Sequence, residues 1–130
     1  METYEYVGCF LDHATLAQAV QSLRTSPLKN EKRTPHVTFE YNPACVNTDL
    51  FGTPIRVTVT GYGNDGENEG LRVVLTSDDE RINAVIRGIP VPHITLAVSD
   101  TALAVNTRYL HFEDVAPIQL TGAYGGHIEP

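Results

Sequence analysis

The chain has 130 residues, of which 42% are hydrophobic and 19% are charged, and its formal net charge is −7. This length and balance predict one globular domain, residues 1–130, and no apolar run approaches the ~20 residues that a membrane helix needs. The acidic balance disfavours binding to long duplex nucleic acid, and the two cysteines exclude a disulfide framework and zinc sites built from Cys-x-x-Cys pairs.

The first half of the chain begins with a predicted strand at residues 4–11, which are rich in aromatic and β-branched side chains. An amphipathic helix is predicted at 13–24, because its apolar residues recur at helical spacing. A polar, basic loop leads to a predicted strand at 36–41. Its alternation places histidine, threonine and glutamate on one face and valine, phenylalanine and tyrosine on the other. Residues 42–54 are predicted to form a long loop.

The second half begins with two predicted strands, at 56–62 and 71–77. The segment between them is polar and contains glycine, so a hairpin is favoured. A short helix is predicted at 78–87, where acidic residues in the first turn favour the helix dipole. The remaining predicted elements are a strand at 92–98, a short helix or an irregular turn at 100–111, and a closing strand at 118–126.

The connections between these elements are too short for a doubly wound parallel sheet, whose strands need long crossovers. The order therefore predicts an α+β domain with a mostly antiparallel sheet. The first residues have neither a basic start nor a long apolar stretch, so no signal peptide is expected. The low cysteine count suits a reducing interior, and we expect a cytoplasmic protein without contact with a membrane.

A five-residue pattern occurs once in each half of the chain. Residues 35–39 and 92–96 both follow the order proline, histidine, apolar, threonine, apolar, and each stretch lies at the start of a predicted strand. Because side chains alternate across a strand, the histidine and the threonine of each pattern point to the same face. The pattern therefore brings one imidazole and one hydroxyl to a surface in each half. The four residues are His36, Thr38, His93 and Thr95.

Two imidazoles that share a surface suggest general acid–base catalysis. Imidazole titrates near pH 6.5, so one ring can take a proton from a nucleophile while the other gives a proton to a leaving oxygen. The hydroxyls can donate hydrogen bonds to charged oxygens between the rings. A phosphodiester, above all a strained cyclic one, fits this arrangement without a metal. A carboxylic ester fits less well, because no serine or cysteine nucleophile elbow is present.

Two His-x-Thr motifs of this kind, each on a strand of a small chain, resemble those of the 2H phosphoesterase superfamily, also called LigT-like. The resemblance implies a two-lobed, pseudo-symmetric α+β fold with mostly antiparallel sheets, flanking helices and a central cleft. It implies hydrolysis of a 2′,3′-cyclic phosphate or a related 2′–5′ or 3′–5′ phosphodiester, as in RNA processing, without metal or cofactor. The implied substrate is a nucleotide, a short RNA or a cyclic oligonucleotide. The implied catalytic residues are His36, Thr38, His93 and Thr95.

Four further residues are candidates for substrate binding. Lys32 and Arg33 belong to residues 24–33, which hold four of the nine basic residues and form either an anion-attracting lip or a solvated loop. Tyr6 and Tyr124 are candidates to stack on a base, although aromatic residues on strands more often belong to the core. The glycines around Tyr124 favour a close approach of another group.

Other functions stay open at this point. A non-catalytic module would hold a nucleotide or an RNA end in the same cleft, and a 2′–5′ RNA ligase-like transferase would use the same residues. A metal-dependent hydrolase would use histidines as ligands. However, His13, His111 and His127 are at spacings that match no ligand pattern, and no carboxylates cluster near either motif. No metal site is therefore predicted.

Overall fold

The structure is a computed structural model, which describes residues 3–128, and within that range seven strands form one sheet. Every neighbouring pair of strands is antiparallel. The elements in chain order are β1 (Tyr6–Leu11), α1 (His13–Leu23), β2 (Asn30–Glu31), β3 (His36–Tyr41), the 3-10 helix η1 (Thr48–Leu50), β4 (Pro54–Asn64), β5 (Asn68–Ser77), α2 (Glu80–Ile86), β6 (His93–Val98), the 3-10 helix η2 (Ala104–Tyr109) and β7 (Glu113–His127).

The predicted α+β architecture with a mostly antiparallel sheet is confirmed. The predicted strands and helices occur close to their expected positions, and the uncertain segment at 100–111 contains η2. The two-residue strand β2, inside the predicted basic loop, was missed because it is too short to have a period and forms by pairing with β6. No helix in residues 3–128 is long and apolar enough to cross a membrane.

The strand order, β2-β6-β5-β4-β7-β1-β3, contains two similar halves. β1, α1 and β3 form one strand–helix–strand unit whose strands pair with each other, and β5, α2 and β6 form the other. β7 pairs with β1, β4 pairs with β5, and the pairing of β4 with β7 joins the halves. The two motif strands, β3 and β6, therefore occupy corresponding positions.

The sheet curls until its two motif strands lie beside each other. β3 and β6 are far apart in the strand order, yet their Cα atoms come within 8 Å of one another. Antiparallel sheets twist and coil, and β-bulges increase both effects. The curling therefore brings the two His-x-Thr motifs together, although they belong to different halves of the chain.

Each motif strand contains a β-bulge just after its threonine. The extra residue is Phe39 in β3 and Leu96 in β6. Because an extra residue reverses the alternation of side chains, Tyr41 lies on the same face as His36 and Thr38. The predictions that Tyr41 points away from the histidine and that Glu40 shares its face are therefore wrong, since alternation alone does not reveal a bulge.

A glycine lies opposite the threonine of each motif. Gly8 of β1 pairs with Thr38, and Gly70 of β5 pairs with Thr95. A Cβ atom on Gly8 would lie 2.1 Å from the carbonyl oxygen of Val37, and one on Gly70 would lie 2.3 Å from a methyl group of η2. Glycine is therefore required at both positions for the close approach that surrounds the bulges.

A buried ion pair fastens α1 to the second half of the sheet. The side chain of Glu69, on β5, is fully buried and accepts hydrogen bonds from Arg24 at 3.0 and 2.7 Å. The hydroxyl of Tyr62 donates to the same carboxylate at 2.6 Å. Arg24 follows the last residue of α1, so the pair connects that helix to β5. This arginine therefore stabilises the fold and is not part of the predicted basic lip.

Candidate active site

One cavity of about 500 Å³ takes side chains from both motif strands. Its lining combines residues of β3 and β6 with the segments that precede each strand and with η2. The structure therefore brings the two predicted pairs together at one site. The motif residues that line this cavity are His36, Thr38, His93 and Thr95.

Both motif histidines are held in the same way. The Nδ1 atom of His36 lies 3.0 Å from the carbonyl oxygen of Thr34, and Nδ1 of His93 lies 2.8 Å from that of Val91. A carbonyl oxygen only accepts hydrogen bonds, so Nδ1 carries the proton in each ring. The neutral rings therefore leave Nε2 unprotonated. No group in residues 3–128 hydrogen-bonds to Nε2 of either ring.

The proline of each motif explains this shared geometry. Pro35 and Pro92 each lie between the histidine and the residue whose carbonyl oxygen the ring contacts. Proline fixes its own φ and favours an extended conformation in the residue before it. The carbonyl oxygen therefore keeps a constant position relative to the ring.

The pKa values of both histidines lie below the usual 6.5. Burial is the largest cause at His36, where the positive charge of Lys32 and the neighbouring histidines act in the same direction. Burial is also the largest cause at His93, where the charge of Arg108 adds to it. The hydrogen bonds to the backbone carbonyl groups oppose these effects in both cases. Both rings are therefore neutral near pH 7 in the unliganded protein.

Tyr6 supports a histidine and does not offer its ring to a base. Its ring is stacked on that of His36, with centroids 4.3 Å apart, and on that of His127, with centroids 5.0 Å apart. Its hydroxyl oxygen lies 3.4 Å from Nδ1 of His36. Tyr6 lines the cavity but is only 9% exposed. Its predicted role as a stacking platform is therefore replaced by contact with the imidazole.

Tyr124 lies in the hydrophobic core, outside the cavity. It is 8% exposed and packs against Phe39 and Phe51. The neighbouring glycines do permit a close approach, but by core side chains. A Cβ atom on Gly122 would lie 2.4 Å from the sulfur of Cys9. The geometry therefore does not support the expected contact between Tyr124 and a substrate.

The two motif threonines have different surroundings. The hydroxyl of Thr38 has no hydrogen-bond partner within residues 3–128. In contrast, the hydroxyl oxygen of Thr95 lies 2.9 Å from that of Thr107 and 3.2 Å from the carbonyl oxygen of Ala104. The amide of Asn68 donates to Thr107 in turn, at 3.1 Å. Thr38 is therefore free to donate to a ligand, whereas Thr95 is held by η2.

Only part of the basic stretch at 24–33 faces the cavity. Lys32 and Arg33 line it, which is the position that an anion-attracting lip requires. Lys29 instead forms an exposed ion pair with Asp100 at 2.7 Å. Arg108, which the sequence analysis did not single out, also lines the cavity. The cavity therefore contains three cationic side chains in a protein whose net charge is −7.

One carboxylate lies near the Tyr6 end of the cavity. Glu5 lines this end, and its carboxylate lies 3.7 Å from Nε2 of His127. Glu40 borders the cavity but pairs with Val7, so its side chain lies on the face opposite Tyr41, where burial and the charge of Glu40 raise the pKa of Tyr124. His127 also lines the cavity, and no sequence pattern had indicated this, because only the pairing of β7 with β1 brings it to Tyr6. The three cationic side chains outnumber the Glu5 carboxylate, so the cavity attracts anions.

The other histidines do not join a metal-binding group. His111 is exposed beside Glu113 at 3.3 Å, and His13 is exposed at the start of α1. Among residues 3–128, no three histidine, cysteine, aspartate or glutamate side chains lie close enough to hold a metal ion together.

No protein-family model matches this sequence, and a search of curated proteins finds no match. The functional argument therefore depends on the residues of the cavity and their chemistry.

We predict that both motif histidines titrate below pH 6.5 and that their neutral form carries its proton on Nδ1, because burial and the carbonyl contacts impose both properties. Long-range ¹H–¹⁵N NMR spectra, recorded as the pH is lowered, measure the tautomer and the titration together. The His36→Ala and His93→Ala variants assign the signals. A ring whose proton is on Nε2 in the neutral form would contradict the described geometry.

Proposed function

We propose that this protein is a metal-independent phosphodiesterase of the 2H type. Its proposed substrate is a 2′,3′-cyclic phosphate or a related 2′–5′ or 3′–5′ phosphodiester in a nucleotide or a short, linear or cyclic, oligonucleotide. The proposal rests on one observation, the matched arrangement of His36 and His93. Both rings donate Nδ1–H to a backbone carbonyl and keep Nε2 for a ligand, beside one cavity.

The arrangement suits the transfer of one proton at each side of a phosphorus atom. One imidazole takes a proton from water through Nε2 while the water oxygen bonds to phosphorus. The other, in its protonated form, gives its Nε2 proton to the leaving oxygen as the phosphorus–oxygen bond breaks. The two rings then exchange protons with solvent. An anionic phosphodiester between the rings raises the pKa of the one that it contacts, so the acid form is available when substrate is bound.

The surrounding charges support an anionic substrate. Lys32 affects the titration of His36, and Arg108 affects that of His93, so a cation accompanies each imidazole. The free hydroxyl of Thr38 can donate to a non-bridging phosphoryl oxygen, where charge increases in the transition state. These groups stabilise a phosphodiester and its transition state, whereas a neutral ester carries no negative charge for three cations to stabilise.

The strand order also supports the proposed family. The two strand–helix–strand units occupy corresponding positions in the sheet, and this internal repetition is of the kind that the resemblance to 2H enzymes implies. A small cavity suits a nucleotide or a short oligonucleotide better than a long duplex.

We predict that the protein hydrolyses at least one member of a panel of 2′,3′-cyclic nucleotides, RNAs with 2′,3′-cyclic ends, 2′–5′-linked dinucleotides and cyclic oligonucleotides in excess EDTA. The His36→Ala and His93→Ala variants each lose about 10²–10⁴-fold in kcat, because each removes one proton-transfer group. Product formation by chromatography measures both effects.

The His13→Ala variant is the matched control, because this exposed histidine does not line the cavity. It retains wild-type turnover. Binding of a panel member without turnover would favour the non-catalytic module. Turnover that EDTA abolishes and zinc or manganese restores would favour a metal-dependent hydrolase.

The two threonines give a separate prediction. Thr38→Val lowers kcat by about 10²–10³-fold, as expected for loss of one donor to the transition state, and leaves stability unchanged. Thr95→Val lowers kcat less but destabilises the fold by about 1–3 kcal/mol, because it removes a partner of the buried Thr107 hydroxyl. Steady-state kinetics and urea unfolding measure the two effects. Thr38→Ser and Thr95→Ser keep the hydroxyl and serve as controls. Equal effects at both positions would contradict the described difference.

A further inference from the structure

Three side chains form a row across the first half of the sheet. Tyr41 of β3 pairs with Tyr6 of β1, and Tyr6 pairs with His127 of β7. All three line the cavity, one step beyond Thr38 along the strands. Their position on the cavity face follows from the bulge at Phe39, which turns Tyr41 to that side.

The corresponding positions in the second half are covered. Beyond Thr95 and its bulge, Val98 of β6 pairs with Asn68 of β5, and these residues are 8% and 3% exposed. β2 pairs with Val98 from one side. The amide of Asn68 donates to the carbonyl oxygen of Leu103, at 2.8 Å, in the segment that leads into η2. The chain itself therefore fills this half of the site.

The first half keeps its corresponding space open. The Tyr41 side chain is 56% exposed, although it lines the cavity. Its ring meets that of Tyr6 at 68°, with centroids 6.0 Å apart, and this contact leaves more than half of Tyr41 exposed. Glu5 lines the same end of the cavity. An exposed aromatic ring and a carboxylate thus lie beside His36 and Thr38.

The chemistry of this end differs from that of the rest of the cavity. The carboxylate of Glu5 repels phosphate groups, whereas cations lie beside the imidazoles. Nucleobases stack on exposed aromatic rings, and a carboxylate accepts hydrogen bonds from an exocyclic amino group. An adenine, guanine or cytosine has both features, whereas uracil has no amino group.

We propose that the space beside Tyr41 and Glu5 is a nucleobase subsite that prefers amino-bearing bases. Tyr41 stacks on the base, and the Glu5 carboxylate accepts a hydrogen bond from its amino group. The subsite rests on the proposed function, because the base belongs to the nucleotide whose phosphate lies between His36 and His93. It adds a specificity determinant to a cavity whose catalytic residues do not read the base.

Calorimetric binding in EDTA tests the subsite without any need for turnover. The ligands are adenosine 3′-monophosphate, uridine 3′-monophosphate and the 3′-phosphate of an abasic tetrahydrofuran sugar. Tyr41→Ala weakens adenosine 3′-monophosphate binding by about 5- to 100-fold, the range expected for loss of one base–aromatic contact. It does not change binding of the abasic phosphate. Tyr41→Phe keeps the ring and binds like the wild type, as does Val74→Ala, at an exposed position outside the cavity.

The outcomes separate the subsite from the proposed reaction. Three results would overturn the subsite. In the first, Tyr41→Ala weakens binding of the abasic and the adenosine phosphate equally. In the second it weakens neither, and in the third the wild type binds neither ligand. Uridine 3′-monophosphate that binds as tightly as the adenosine compound would overturn the preference for an amino group. If Tyr41-dependent base binding occurs but no phosphodiester is hydrolysed, the subsite stands and the proposed function fails. If a phosphodiester is hydrolysed but ligand binding does not depend on Tyr41, the proposed function stands and the subsite fails.

Discussion

One hydrogen bond, made twice, determines what this cavity can do. The Nδ1 atom of each motif histidine contacts the backbone carbonyl oxygen two residues earlier, across a proline. This contact fixes the ring orientation and assigns the proton to Nδ1, so that Nε2 of both rings is the nitrogen left for a substrate. Burial lowers the pKa of both His36 and His93, so the neutral tautomer is the one present near pH 7. The proposed acid–base chemistry depends on this shared constraint.

The second requirement is that two strands from different halves of the chain meet. The curled sheet brings β3 beside β6, and a bulge follows the threonine in each strand. Gly8 and Gly70, opposite those threonines, permit the close approach of neighbouring backbone and side-chain atoms. The halves then differ at one element. Because η2 holds the hydroxyl of Thr95 and covers one end, the site combines a matched pair of imidazoles with unequal surroundings.

The elements and the motif residues could be predicted from the sequence, because strand and helix periods and the repeated five-residue pattern each involve residues close together in the chain. Contacts that depend on tertiary packing were not visible. The bulge that turns Tyr41 toward the cavity, and the burial of Tyr124 among core aromatic rings, arise from pairing between distant strands. His127 and Arg108 reach the cavity for the same reason, from the last strand and from a short 3-10 helix that has no clear period.

The central claim is that both Nε2 atoms serve one phosphoryl group. A crystal structure of the wild-type protein with inorganic orthovanadate, which imitates the five-coordinate phosphorus of the transition state, tests this claim most directly. We expect one vanadate in the cavity, with different oxygens at hydrogen-bond distance, roughly 2.7–3.2 Å, from Nε2 of His36 and of His93. Vanadate bound to only one of the two rings, or bound through an Nδ1 atom, would contradict the account.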